Sequence, residues 1–148
     1  MDFIDCLPRS LGKSAILVVV DRLTKYAHFI PLSHPYTSKT IASPFIDNIY
    51  KFDGLPKVIT SDRDNLFMTG FWQEFSTLQG PKLHFSTTYH PQTDDQSEVV
   101  NKCLETYLRC FCAHKPRDWV TWMPWAQFWY NTSNSTNKLC MADPLLLF

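Results

Sequence analysis

Net charge is missing from this sequence: 14 Lys and Arg stand against 14 Asp and Glu. A freestanding nucleic-acid binder normally carries a clear basic excess, so charge by itself argues against one. Long hydrophobic runs are missing too. The longest, "AILVVV" at positions 15–20, is far short of the ~20 residues that cross a bilayer. The opening stretch "MDFIDCLPRS" holds acids where a secretory signal holds bases. These absences predict an intracellular protein with no membrane segment. Low-complexity tracts and internal repeats are lacking, while 45% of residues are apolar and 15% aromatic, so a single globular domain over residues 1–148 is expected. Five cysteines, an odd number with no signal peptide, favour reduced thiols over a disulfide framework. Cys110, Cys112 and His114 in "CFCAH" match no zinc spacing, and no second ligand pair follows. The glycosylation acceptors Asn131 and Asn134 carry no meaning without a secretory route.

What is present alternates between two periods. "MDFIDCL", "SAILVVVDR" and "YAHFIPL" read as a three-strand meander. "SKTIASPFIDNIYKF" then has the helical period, with Ile41, Phe45, Ile46 and Ile49 on one side and Pro44 inside its first two turns. "GLPKVITSD" gives a turn and a short buried strand. "TGFWQEFSTLQG" places Phe71, Trp72, Phe75 and Leu78 at helical spacing and stops at Gly80, and "PKLHFST" is a further short strand. In "TYHPQTDDQSEVVNKCLE", Thr93 and Gln96 form a capping box, so a helix starts near Asp94. Its apolar stripe runs through Val99, Val100, Cys103, Leu104, Tyr107, Leu108 and Phe111. The closing helix carries Trp119, Trp122, Trp125 and Trp129, with Pro124 kinking it or starting its second half. Strands and helices alternating after a meander predict an α/β domain with a mixed sheet.

Three carboxylates stand out. Glu98 points away from the apolar stripe, toward water or a cleft. Its ordinary role there is to favour the helix N-terminus and pair with Lys102, together worth ~0.5–1 kcal/mol. Asp62 ends "KVITSD", at the carboxyl end of a predicted buried strand where α/β sheets place functional groups. Asp2 opens the first strand, although Asp21, closing "ILVVVD", is physically as attractive, and Asp5 and Asp64 are also nearby. Carboxylates converging at a sheet edge repel unless cations lie between them, and hard oxygen donors suit Mg²⁺ or Mn²⁺.

Residues 63–97 put 35 positions between Asp62 and Glu98. With "MDFIDCLP", "ILVVVDRLTKYAHFIPL", "GLPKVITSDRDNLF", "FWQEF" and "STTYHPQTDDQSEVVNKCLETYLR", the chain resembles the catalytic core of retroviral-type integrases, most closely those of gypsy-type LTR retrotransposons. The resemblance runs over nearly the whole chain. It implies a ribonuclease-H-like three-layer α/β fold, a five-stranded mixed sheet flanked by helices. It also implies a triad of Asp2, Asp62 and Glu98 holding two Mg²⁺ or Mn²⁺ ions for polynucleotidyl transfer on DNA. The loop "STTYHPQT" would be a flap over the metals. Tyr89, His90 and Gln92 are then candidate DNA contacts, and Asn101 and Lys102 would meet the phosphate backbone. Element ends and target DNA are the implied partners, with a homo-oligomer acting in the nucleus.

The chain departs from the family in three places. It opens at the catalytic strand, so Asp2 is expected near a frayed end, and the family's zinc-binding and basic DNA-binding domains lie outside these 148 residues. "TDDQ" stands where the family reads "TDGQ", putting the charge of Asp95 beside the flap. "MADPLLLF" resembles the family's closing segment only loosely. These departures support an alternative, a catalytically inactive, truncated retrotransposon relic that acts at most as a nucleic-acid or protein interaction module. Asp62 and Asp64 in "SDRD" also form an Asp-x-Asp pattern of nucleotide-sugar sites, a motif common by chance.

Overall fold

In a computed structural model, residues 1–56, 58–63, 65–79 and 95–135 are described. The β-branched run Ala15–Val20 forms β2 and pairs antiparallel with β3, Ala27–Leu32, in the register Val18 to Phe29 and Ile16 to Pro31. The short β1, Asp2–Ile4, completes a sheet of order β1-β2-β3, the expected meander. Between β1 and β2, Leu11 and Gly12 take φ of 47° and 79°, and Ser10 and Lys13 exchange two 2.8 Å backbone bonds around them. Positive φ at both central positions makes the tight turn whose twist matches the flanking chain.

The chain divides into two compact units, Phe3–His34 with Asp95–Phe148, and Met1–Asp2 with Pro35–Asp94. In the first of these, helix α4 (Asp95–Cys112) and helix α5 (Trp119–Ser135) pack on the sheet. Their core joins Ile16, Val18 and Phe29 to Val100, Leu104, Leu108, Trp119, Met123 and Tyr130. Burying each large apolar side chain contributes about 1.5–3 kcal/mol. Polar bonds set the register of α5. Trp119 Nε1 donates to Pro8 O at 2.6 Å, and buried Ser10 accepts from Val120 N at 3.3 Å, satisfying one of the open donors at the helix start. Farther along, Asn131 accepts from Ala27 N at 2.7 Å and donates to Ala27 O at 2.9 Å, while Gln127 accepts from Phe29 N at 2.9 Å. Alternate backbone groups of β3 are thereby covered by amides one helical turn apart.

In the other unit, helix α1 (Ser38–Phe45) starts at a Thr37–Thr40 capping box. It continues through a wider π-helical turn, Ile46–Tyr50, into the single turn α2, Lys51–Asp53, which ends at Gly54 with φ 81°. Helix α3 (Asn65–Gln79) packs against α1. Phe45, Phe71 and Phe75 meet at ring-centroid distances of 5.3–5.9 Å, forming the buried centre of this pair.

Several sequence expectations change in three dimensions. The segment expected as a buried strand before Asp62 does bury Ile59, Thr60 and Ser61, yet it forms no strand. Of the expected five-stranded mixed sheet, three antiparallel strands occur among the described residues; "PKLHFST" lies outside them. The starting loop and cap of α4, Thr93 and Asp94, also lie outside. Val99, Leu78 and Trp125 are 53%, 49% and 62% exposed instead of packed in cores, because the buried arcs of their helices are narrower than the apolar arcs in sequence. Helix α3 starts at Asn65, earlier than the apolar spacing suggests, and α5 runs continuously through Pro124.

The double bond from Asn131 predicts a large effect from a small change. Asn131→Ala strips acceptor and donor from Ala27 at once and is expected to lower stability by about 1–3 kcal/mol, measured as the shift in urea midpoint at constant slope.

Candidate functional site

Asp2 opens β1 and is half-buried. The terminal amino group of Met1 beside it donates to the carbonyl of Thr60 across 59 positions of sequence. This bond draws the chain bearing Asp2 alongside the chain bearing Asp62. Both aspartates belong to the same compact unit. Asp62 itself is exposed and sits in a bend directly after the buried Ile59, Thr60 and Ser61. On its other side, Arg63 N donates to Ser61 Oγ at 3.3 Å. The Arg63 guanidinium donates to Tyr36 Oη at 2.6 Å and lies 5.7 Å and 5.5 Å from the ring centres of Tyr36 and Phe67.

Glu98 belongs to the other unit, in the first turn of α4. Its side chain is 68% exposed and bonds Lys102 Nζ at 3.2 Å, a pair four residues apart along the helix. Both ordinary interactions expected for it, the helix dipole and the Lys102 pair, are in place. The group faces solvent. Lys102 is likewise exposed, whereas Asn101 is half-buried with its Oδ1 turned inside. Tyr89, His90 and Gln92 lie outside the described residues. Among the described residues, no group of three or more His, Cys, Asp or Glu stands arranged around a metal position.

Asp21, the rival for the first aspartate, has a different occupation. Its carboxylate accepts from Thr24 Oγ1 at 2.6 Å, Leu23 N at 3.1 Å and Thr24 N at 3.3 Å, closing the turn between β2 and β3. These bonds, the Thr24 hydroxyl first, hold its pKa below the usual carboxylate value. Asp5 is exposed on the chain after β1. The residue that sequence reading passed over is Arg63. Its signal was its place in "SDRD", directly after Asp62, but its aromatic partners come from Tyr36 and Phe67, one of them far off in sequence.

No family model matches the chain. Among curated proteins it is 38% identical over 133 residues to the Transposon Tf2-3, Tf2-4 and Tf2-5 polyproteins of Schizosaccharomyces pombe. The match covers 90% of this chain and 10% of each polyprotein, so the chain spans about a tenth of the length of the curated relatives it matches. This similarity supports a retrotransposon-derived protein. Among the described residues, no helix is long and apolar enough to cross a membrane.

The Asp21 turn predicts a pH effect with a definite sign. A depressed folded-state pKa stabilises the fold above the unfolded carboxylate value of about 3.9, and that stabilisation is lost as pH falls through the lower folded value. The melting-temperature gap between wild type and Asp21→Ala should therefore be full at neutral pH and shrink toward acid; thermal melts across that range measure it.

Proposed function

We propose that this chain is an integrase-type catalytic core of ribonuclease-H-like fold, carrying out divalent-metal-dependent polynucleotidyl transfer on DNA. The observation that carries this reading is the placement of Asp2 and Asp62, two acids that the sequence pattern pairs, in one compact unit. The transposon polyprotein likeness over 90% of the chain supports it from a second direction.

Asp2, Asp62 and Glu98 offer carboxylate oxygen only, the donor chemistry that suits Mg²⁺ or Mn²⁺. In this reading Asp2 and Asp62 hold the cations jointly and Glu98 is the third ligand. The chemistry that two such ions would supply is activation of water or a DNA 3′-hydroxyl and stabilisation of the leaving oxygen in an in-line displacement. The chain's own part is to present the acids. Asp62 is set on a bend beside buried neighbours, and Glu98 on the first turn of a long helix. Lys102 and Asn101 are assigned to the phosphate backbone, and Tyr89, His90 and Gln92 to DNA beside the flap. Element ends and target DNA are the substrates in this reading, which also includes nuclear action as a homo-oligomer. The exposed aromatics Trp125 and Phe128 on α5 support self-association.

The test is a disintegration assay on a branched DNA oligonucleotide with Mn²⁺, with folding checked by circular dichroism. Wild type should cut and rejoin the strands. Asp62→Asn and Glu98→Gln should keep the fold and lose more than the about 10–100-fold that removing a mere supporting residue of a metal site removes. A folded, inactive wild type would instead favour the relic reading.

Lys102 separates a structural from a DNA-binding role. Its exposed pair with Glu98 is worth about 0.3–0.5 kcal/mol, so Lys102→Ala should barely alter stability. A phosphate contact at this position should nonetheless lower the slope of log affinity against log salt by about 1, read by fluorescence anisotropy on duplex DNA.

A further inference from the structure

We propose that Arg63 is the positioning residue for Asp62, acting by clamping the bend that presents the carboxylate, a role that rests on the reading of Asp62 as a metal-holding acid. No helix or strand spans residues 61–63. The direction of Asp62 is therefore set by what grips its two neighbours. Behind it, Thr60 and Ser61 are buried, and Thr60 accepts from Met1 N. Ahead of it, the half-buried Arg63 fastens the chain twice. Its N–H returns to Ser61 Oγ at 3.3 Å, closing the bend across Asp62, and its guanidinium reaches Tyr36 Oη at 2.6 Å.

The chemistry at position 63 calls for arginine. A planar guanidinium can donate to a phenol in its plane and still pass close to aromatic rings, here Tyr36 at 5.7 Å and Phe67 at 5.5 Å. Phe67 lies on the first turns of α3 and Tyr36 just before the Thr37 cap of α1. The arginine thus ties the bend to the starts of two helices that pack on each other. A lysine offers a point charge with no plane and cannot hold both contacts in one geometry. The ordinary role for a cation beside a candidate acid is a phosphate contact. The engagement of this guanidinium with Tyr36 and Phe67 favours the clamp.

The experiment compares wild type, Arg63→Lys and Tyr36→Phe, each checked for folding by circular dichroism. It reads Mn²⁺ binding through loss of the free-ion electron paramagnetic resonance signal, amide hydrogen exchange at residues 61–63 without metal, disintegration rate, and the salt slope of DNA binding. The clamp predicts, for Arg63→Lys, an at least tenfold weaker Mn²⁺ half-saturation, faster exchange confined to the bend, a lower rate and an unchanged salt slope. Tyr36→Phe, which removes one oxygen, should move the same readouts in the same direction by a smaller factor. An active wild type whose Arg63→Lys variant keeps its Mn²⁺ half-saturation and amide protection overturns the clamp alone. A salt slope reduced by about 1 with Mn²⁺ binding intact also overturns it, making Arg63 a phosphate contact. A folded wild type that neither binds Mn²⁺ nor acts on DNA overturns the parent reading and the clamp with it.

Discussion

The sheet-bearing unit depends on how α5 grips β3. An edge strand leaves alternate N–H and C=O groups open, and left so they would template pairing with another chain. Here Asn131 takes both open groups of Ala27, and Gln127 takes the N–H of Phe29. A side-chain amide matches a backbone amide donor for acceptor, so the helix docks on the strand edge in one register. That register in turn brings Trp119 to Pro8 and Val120 to Ser10 at the other end of the helix. With α5 fixed at both ends, the stacked rings of Tyr107 and Phe111 on α4 find Trp129 and Trp122 at 5.4 Å and 5.3 Å. The orientation of α4 follows, and with it the outward direction of Glu98.

The candidate acids rest on three different kinds of support. Asp2 is held by a strand, Asp62 by a bend between buried residues, and Glu98 by the first turn of a long helix. A rigid strand or helix fixes a side chain through its own ladder of hydrogen bonds. A bend has no ladder, so its side chain is directed by whatever holds the flanking residues. That difference is why the surroundings of Asp62, Tyr36 and Phe67 included, bear more on the candidate chemistry than those of Glu98.

Much of the architecture was legible because it rests on local patterns. The β-branched run at 15–20 could be little other than a buried strand, and the three- and four-residue spacing of Val100, Leu104, Tyr107 and Leu108 fixed the inner face of α4. The misses share a cause. Val99, Leu78 and Trp125 are apolar residues at the edge of an apolar arc, and only the packing partner decides where the buried arc ends. The segment before Asp62 has the composition of a strand, yet a strand exists only where a neighbour completes a ladder. Asp21 looked as fit for chemistry as Asp2 until the Thr24 hydroxyl and the turn amides claimed its oxygens.

For the candidate site, the sequence by itself determined which acids to consider, since the order and spacing of Asp2, Asp62 and Glu98 are one-dimensional facts that survive any change in packing. It also named hard divalent cations as the ligand class to test, because carboxylate oxygen suits them. Only the tertiary structure decided that Asp21 closes a turn, that Met1 meets Thr60, and that Arg63 anchors its bend on Tyr36 and Phe67. Those are contacts between residues whose side chains carry no mark of their partners. Hydrogen bonds and ring contacts act over a few ångströms, and only folding brings groups 27 or 59 positions apart within that reach.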